Sequence, residues 1–207
     1  MIDVRDVALG ALCPVAGVPL YGALVPSTVA GERLWLASNG LFVEIVRPWC
    51  RFVRKIGDVG ITVPYGKLDE SSFLVRPIPG QLLRQFFGDA QRQHEIEIGA
   101  SIIWHEHTGH YRLAMSTSLY ADASRLDYEW AALAAHEHRV VDLHSHGHGK
   151  AYFSEVDDVD DADQVKLAWV IGDCHRPWPT NSARWCLRGR FEPIAPTQWP
   201  KWIEVTR

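Results

Sequence analysis

One segment restricts this chain more than any other. The short apolar run Val140-Val141-Asp142-Leu143 leads straight into His144-Ser145-His146, and after seven further residues comes Ser154-Glu155-Val156-Asp157. The run reads as a short buried strand, with a glycine-rich loop after it. On an extended strand end, residues i and i+2 project to the same side, so both imidazoles can reach one ion. The acidic stretch from Ser154 reads as the start of a helix, which can supply a carboxylate as third ligand. Three protein ligands leave a fourth position open, the arrangement of a catalytic rather than a structural zinc. Taken alone, Ser154-x-x-Asp157 is better explained as a helix N-cap with a first-turn acid favoured by the helix dipole. Its place after H-x-H gives it metal meaning.

The rest of the chain organises around that segment. Leu34-Trp35-Leu36, the turn pair Asn39-Gly40 and Leu41 to Val46 read as a hairpin, within a β-rich stretch from Val18 to about Lys67. Pro64 to Gly80 is broken by prolines and polar residues and reads as a linker, giving a β-rich N-terminal region at 1–76 and a second domain at 77–207. In the second domain Leu82, Leu83, Phe86, Phe87 and Ala90 predict an amphipathic helix over 81–93. Glu95 to Trp104 and Tyr111 to Met115 read as strands joined through Thr108-Gly109, and the alanine-rich stretch 127–136 as a helix by propensity. Val165 to Ile171 and Arg184 to Phe191 complete the strands. The expected class is α/β (α+β), a mixed sheet flanked by helices.

The same residues resemble the JAB/MPN metallopeptidase family. Its JAMM signature is an upstream glutamate, then H-S-H-P, then S-x-x-D after an interval of seven residues that includes the proline. The match is position for position at His144, Ser145, His146, Ser154 and Asp157; Gly147 stands where the family usually has proline. The resemblance implies one Zn²⁺ per chain held by His144, His146 and Asp157. It also implies that Ser154 helps polarise the tetrahedral intermediate and that a glutamate acts as general base. That glutamate is Glu97 or Glu95. Glu97 is preferred, because it sets Ala100 at the family's glycine position and Ile102-Ile103 in the core strand. The implied activity is a deubiquitinase-like metallopeptidase, cutting an isopeptide or peptide bond at the C-terminal tail of a ubiquitin-like protein. The alternative is a JAB-like scaffold that binds such a partner without cutting it. Bacterial members with an extra N-terminal region, including those of the PRTRC cassette type, occur beside ubiquitin-like, ubiquitin-activating-like and conjugating-like proteins, so these are the expected partners.

Asp142-x-His144-x-His146 also matches the D-x-H-x-H of amidohydrolases and histidinol-phosphatase-like phosphoesterases. Those folds carry the motif on the first strand of a barrel of about 250 residues. Only 61 residues follow His146 in this 207-residue chain, too few to build one. A net charge of −4 without a basic face gives no reason to expect nucleic acid. The acidic start Met1-Ile2-Asp3 and the lack of an apolar run of ~20 residues predict a cytoplasmic protein without a membrane span. Cys13, Cys50, Cys174 and Cys186, with no CxxC pair, read as free thiols. The clusters His136-Glu137-His138 and His105 to His110 read as turn histidines, and His148 as a loop residue that can line a substrate groove. Trp178, Trp185, Trp199 and Trp202 read first as packing and second as a border for an extended peptide.

Overall fold

The computed structural model describes residues 3–121 and 126–204. The chain divides into two compact units, residues 1–75 and 76–207. In the first, helix α1 (Val4–Leu12) precedes strands β1 (Val15–Gly17), β2 (Gly31–Ala37), β3 (Gly40–Arg47), β4 (Cys50–Gly57) and β5 (Ser71–Leu74), which form a five-stranded sheet in sequential order. The Asn39-Gly40 hairpin pairs Leu36 with Leu41 and Ala37 with Gly40, and Gly40 takes the positive φ of 146° that the turn requires. Val18, Trp35, Ala37, Phe42 and Val53 form the core of this unit. Glu44 is fully buried beneath them, accepting from the Trp35 indole at 2.7 Å and from Arg51 at 2.6 Å. Burial alone would raise its carboxyl, but those donors hold it below the ordinary value. The stretch read as a linker contains β5, which pairs with β4 and so belongs to this sheet.

The second unit opens with β6 (Ile78–Pro79) and α2 (Gly80–Arg92), followed by β7 (Gly99–His105), β8 (Tyr111–Met115), β9 (Thr117–Ala121) and β10 (Leu126–Glu129). Then come β11 (Glu137–Ser145), α3 (Glu155–Asp161), β12 (Val165–Gly172), β13 (Thr180–Leu187), β14 (Arg190–Pro193), a 3₁₀ turn (Pro196–Lys201) and β15 (Ile203–Glu204). Six strands make a mixed sheet in the order β14-β13-β12-β11-β7-β8, with β11 and β12 parallel and their other neighbours antiparallel. β9 and β10 form a separate ribbon, and β15 pairs with β6, tying the end of this unit to its beginning.

The two faces of the sheet differ. On one, Leu143 and Trp169 are paired neighbours, and Phe87 of α2 and Trp199 of the 3₁₀ turn approach the Trp169 ring at 5.8 and 4.6 Å. The helix read over 81–93 forms for the reason its spacing gives: Leu83, Phe86 and Ala90 are buried. Full burial of a side chain such as Phe86 contributes roughly 1.5–3 kcal/mol. The other face carries Asp142, Lys166 and Arg184 in the strand interior, all buried, and α3 is joined to it by ion pairs.

Three expectations are corrected. The alanine-rich segment is not a helix over 127–136. Leu126–Glu129 is a strand, Trp130 to Ala134 is irregular, and His136 turns the chain at a φ of 64°. Alanine propensity favours a helix only weakly, and tertiary bonds decide here. The Glu137 carboxylate accepts the Ala134 N–H at 2.9 Å and a bidentate pair from Arg112 of β8 at 2.7 Å. Arg184 to Phe191 is not one strand but two, broken at Arg188 and Gly189, both at positive φ. The strand expected from Glu95 begins only at Gly99, so Glu97 precedes it. Among the described residues no helix is long and apolar enough to cross a membrane.

Candidate metal centre

β11 delivers His144 and Ser145 at its C-terminal end, and His146 follows immediately. That end is held from both sides: the Ser145 N–H donates to the Ile98 carbonyl, the Ser145 hydroxyl accepts from the Ile98 N–H, and the His146 N–H donates to the Ile171 carbonyl. The two imidazoles bring their Nε2 atoms to 3.2 Å, and Asp157 Oδ1 lies 3.6 Å from His144 Nε2. Zn–N and Zn–O bonds of about 2.0–2.2 Å at the tetrahedral angle set ligand atoms roughly 3.3–3.5 Å apart. These two separations bracket that edge, and all three donor atoms lie within 4.8 Å of one another, so the set can close on a tetrahedral divalent ion.

The tautomer also fits. His146 Nδ1 lies 2.9 Å from the Lys150 carbonyl, which can only accept, so Nδ1 carries the proton and Nε2 keeps a lone pair. Burial pulls the His144 pKa down to about 4, although Asp157 opposes it, which leaves the neutral imidazole that binds metal. Tyr152 and Phe153 pack edge-on to the two histidines, with ring centroids 4.7 Å from His146 and 6.5 Å from His144 respectively.

α3 begins at Ser154 in a capping box. The Ser154 hydroxyl accepts from the Asp157 N–H at 3.2 Å, and the Ser154 N–H and hydroxyl both donate to Asp157 Oδ2 at 2.6 Å. Both bonds fall on Oδ2 and leave Oδ1 toward His144. The N-cap and the ligand arrangement are therefore the same feature. Behind it, Arg184 fixes the helix: its guanidinium lies 3.9 Å over the Phe153 ring and pairs with Asp158 and, at 2.7 Å, with Asp161. Lys166 joins Asp161 at 2.6 Å and Asp142 at 2.5 Å. Burial would raise the Asp161 carboxyl, but Lys166 and Arg184 hold it low; for Asp142 burial wins over Lys166 and lifts its pKa to about 6. A cavity of about 330 Å³ bordered by His144, Asp157, Phe153, Trp130, Arg139 and Lys166 opens beside the ligands.

Glu97 is nearly buried at 9 % exposure. β7 pairs Gly99 with His144, and the Ser145–Ile98 bonds extend that pairing, so one more step sets Glu97 opposite His146. Glu95 lies elsewhere, within 3.4 Å of His94 and 3.6 Å of His148. Trp185 and Trp202 are buried, their rings 5.3 Å apart edge to face, and Trp199 packs on Trp169, so these three serve packing; Trp178 is exposed. His105 Nδ1 accepts from the His107 and Thr108 N–H groups as a turn cap, and His138 pairs with Glu106.

Two family models match the chain: a domain of unknown function, DUF2016, over residues 3–75, and the prokaryotic homologs of the JAB domain over residues 79–187. The chain belongs to the prokaryotic JAB-domain family. No curated protein and no solved structure matches it. Within the JAB domain, sequence reasoning passed over Tyr152, Phe153, Lys166 and Arg184. The aromatic pair just before Ser154 was the available signal for the first two. The two cations carried none, because their partners come from other strands and from α3.

Proposed function

We propose that this chain is a zinc metallopeptidase of JAMM type, with a deubiquitinase-like activity on the C-terminal tail of a ubiquitin-like protein. The observation that carries the reading is the donor set itself: two imidazole Nε2 atoms and one carboxylate oxygen within 4.8 Å of one another, both partners of His144 near the tetrahedral edge distance and the His146 tautomer fixed by a carbonyl. When bound, a zinc ion on His144, His146 and Asp157 supplies Lewis-acid polarisation of the scissile carbonyl and acidifies a water. Glu97, set opposite His146, accepts the proton of the attacking water and returns it to the leaving amine, general acid–base work worth roughly 10²–10⁴-fold. Ser154 orients the Asp157 carboxylate in this structure, and its hydroxyl, at the N-cap of α3, is assigned to share the charge that develops on the carbonyl oxygen.

The substrate class follows from the family rather than from the donor set. A ubiquitin-like tail is extended, and β8, at one end of the six-stranded sheet, offers a strand edge for main-chain pairing. The proteins expected to accompany it are a ubiquitin-like protein or its conjugate and the ubiquitin-activating-like and conjugating-like proteins of the same cassette. The test is elemental analysis of the purified chain beside His144→Ala/His146→Ala. About one zinc per chain that withstands dialysis, lost in the double variant, together with cleavage of a ubiquitin-like tail, is the expected result. A folded, zinc-supplemented wild type without metal at this site returns the chain to the scaffold reading.

A further inference from the structure

Among the described residues, a second group of three side chains brings donors together at metal-ligand spacing. His94 Nδ1 lies 3.4 Å from His148 Nε2 and 3.4 Å from Glu95 Oε1, and His148 Nε2 lies 3.6 Å from Glu95 Oε2. The His94–His148 separation falls on the roughly 3.3–3.5 Å edge of a tetrahedral zinc site, and the Glu95 carboxylate turns one oxygen toward each imidazole, the three donors lying within 4.8 Å of one another. Two imidazoles and a carboxylate are also a donor set suited to zinc and its first-row neighbours.

The backbone is built to bring them together. His94 and Glu95 sit in the turn after α2, and His148 in the loop after His146. Gly147 takes a φ of 49°, and a Cβ there would lie 2.7 Å from the His94 carbonyl oxygen. Only glycine allows that left-handed turn at so close an approach. The Cys174 N–H donates to the Gly147 carbonyl at 2.7 Å, and His175 stacks on His148 with ring centroids 4.6 Å apart, which braces the His148 ring. The residue in which this chain departs from the JAMM signature is therefore the one that lets His148 reach His94.

We propose that His94, Glu95 and His148 form a second binding site for a divalent transition-metal ion of the zinc class, separate from His144, His146 and Asp157. An ion held there joins the segment that carries Glu97 to the loop that leaves His146, so its occupancy rigidifies the approach to the first site. The donors are open to solvent, with His94 35 %, His148 48 % and Glu95 78 % exposed, which makes this the weaker and more exchangeable of the two sites.

The test is equilibrium dialysis of the metal-stripped full chain against zinc, with elemental readout and circular dichroism to confirm folding. Wild type is expected to saturate at two ions per chain. His94→Ala/His148→Ala, a change confined to partly exposed side chains, is expected to retain one ion, the tighter; His144→Ala/His146→Ala is expected to retain one, the weaker. Hydrogen exchange at 93–98 should slow when the second equivalent is added to wild type and not in His94→Ala/His148→Ala. Should His94→Ala/His148→Ala leave the stoichiometry and exchange unchanged, the second site is overturned while the first stands. Should wild type bind one ion that disappears in this variant and persists in His144→Ala/His146→Ala, the second site stands and the first fails.

Discussion

Replacing Ser154 by alanine separates two roles that the hydroxyl can play. In the structure it accepts from the Asp157 N–H and donates to Asp157 Oδ2, so it acts on the carboxylate proposed as a ligand. Loss of an N-cap side chain typically costs about 1 kcal/mol of stability. The effect on metal is a separate quantity. Asp157 Oδ2 has two donors from residue 154, and alanine removes the hydroxyl while leaving the N–H at 2.6 Å. Losing one outer-shell partner weakens metal binding by roughly 10–100-fold, and with one of two supports retained the lower end applies: about tenfold, or about 1.4 kcal/mol. Zinc competition against a chromophoric chelator reads the loss of metal affinity, and urea unfolding of the metal-free protein reads the cap. If zinc affinity stays within twofold of wild type while turnover collapses, the hydroxyl serves the reacting carbonyl and not Asp157, and the reasoning from the capping box is wrong.

Glu97→Gln should keep its zinc and lose turnover by roughly 10²–10⁴-fold, and a fully active variant would overturn Glu97 as the base. Lys166→Met removes the cation that Asp142 and Asp161 share; one-sided loss of a buried pair costs roughly 3–5 kcal/mol, and about 3 is expected because Arg184 still pairs with Asp161. The Asp142 pKa is already raised to about 6, so the charged form carries the penalty above that pH and the protonated form escapes it below. Urea unfolding of Lys166→Met should therefore show a smaller deficit at pH 5 than at pH 7.5, and an equal deficit at both would sink the assignment. Gly147→Pro restores the residue usual in the signature but cannot adopt a φ of 49°. It should lower the melting temperature and abolish the weaker zinc site, whereas an unchanged melting curve with two ions bound would show that the loop has another stable course.

How much of this was legible in the sequence depended on distance along the chain. The grouping of the three candidate donors was, because His144 and His146 need only the two-residue period of a strand, and Asp157 only a helix start, all within 14 residues. The helix over 81–93 and the Asn39-Gly40 hairpin were legible for the same reason, being local patterns that bury one face. The alanine-rich stretch misled because its propensity was local but its bonds were not: Glu137 caps Ala134 while gripping Arg112, 25 residues away. Glu97 could be nominated but not placed, since its position opposite His146 depends on the antiparallel register of β7 against β11.

Gly147 shows why a single departure from a motif can carry more information than the matches around it. Read along the chain, glycine for proline is only a looser loop. In the fold, its positive φ sends the chain back against the His94 carbonyl and sets His148 beside a histidine 54 positions earlier. His144, Ser145, His146, Ser154 and Asp157 all point to chemistry common to JAMM sequences. The glycine points instead to an arrangement of this chain's own. Whether the loop after His146 is fixed by a second ion or by its own hydrogen bonds, Cys174 to Gly147 and Asp173 to Gly149 among them, bears on how firmly the Glu97 segment is held against the first site. The two answers differ in the expected exchange at 93–98: slowed by zinc in the one case, and indifferent to it in the other.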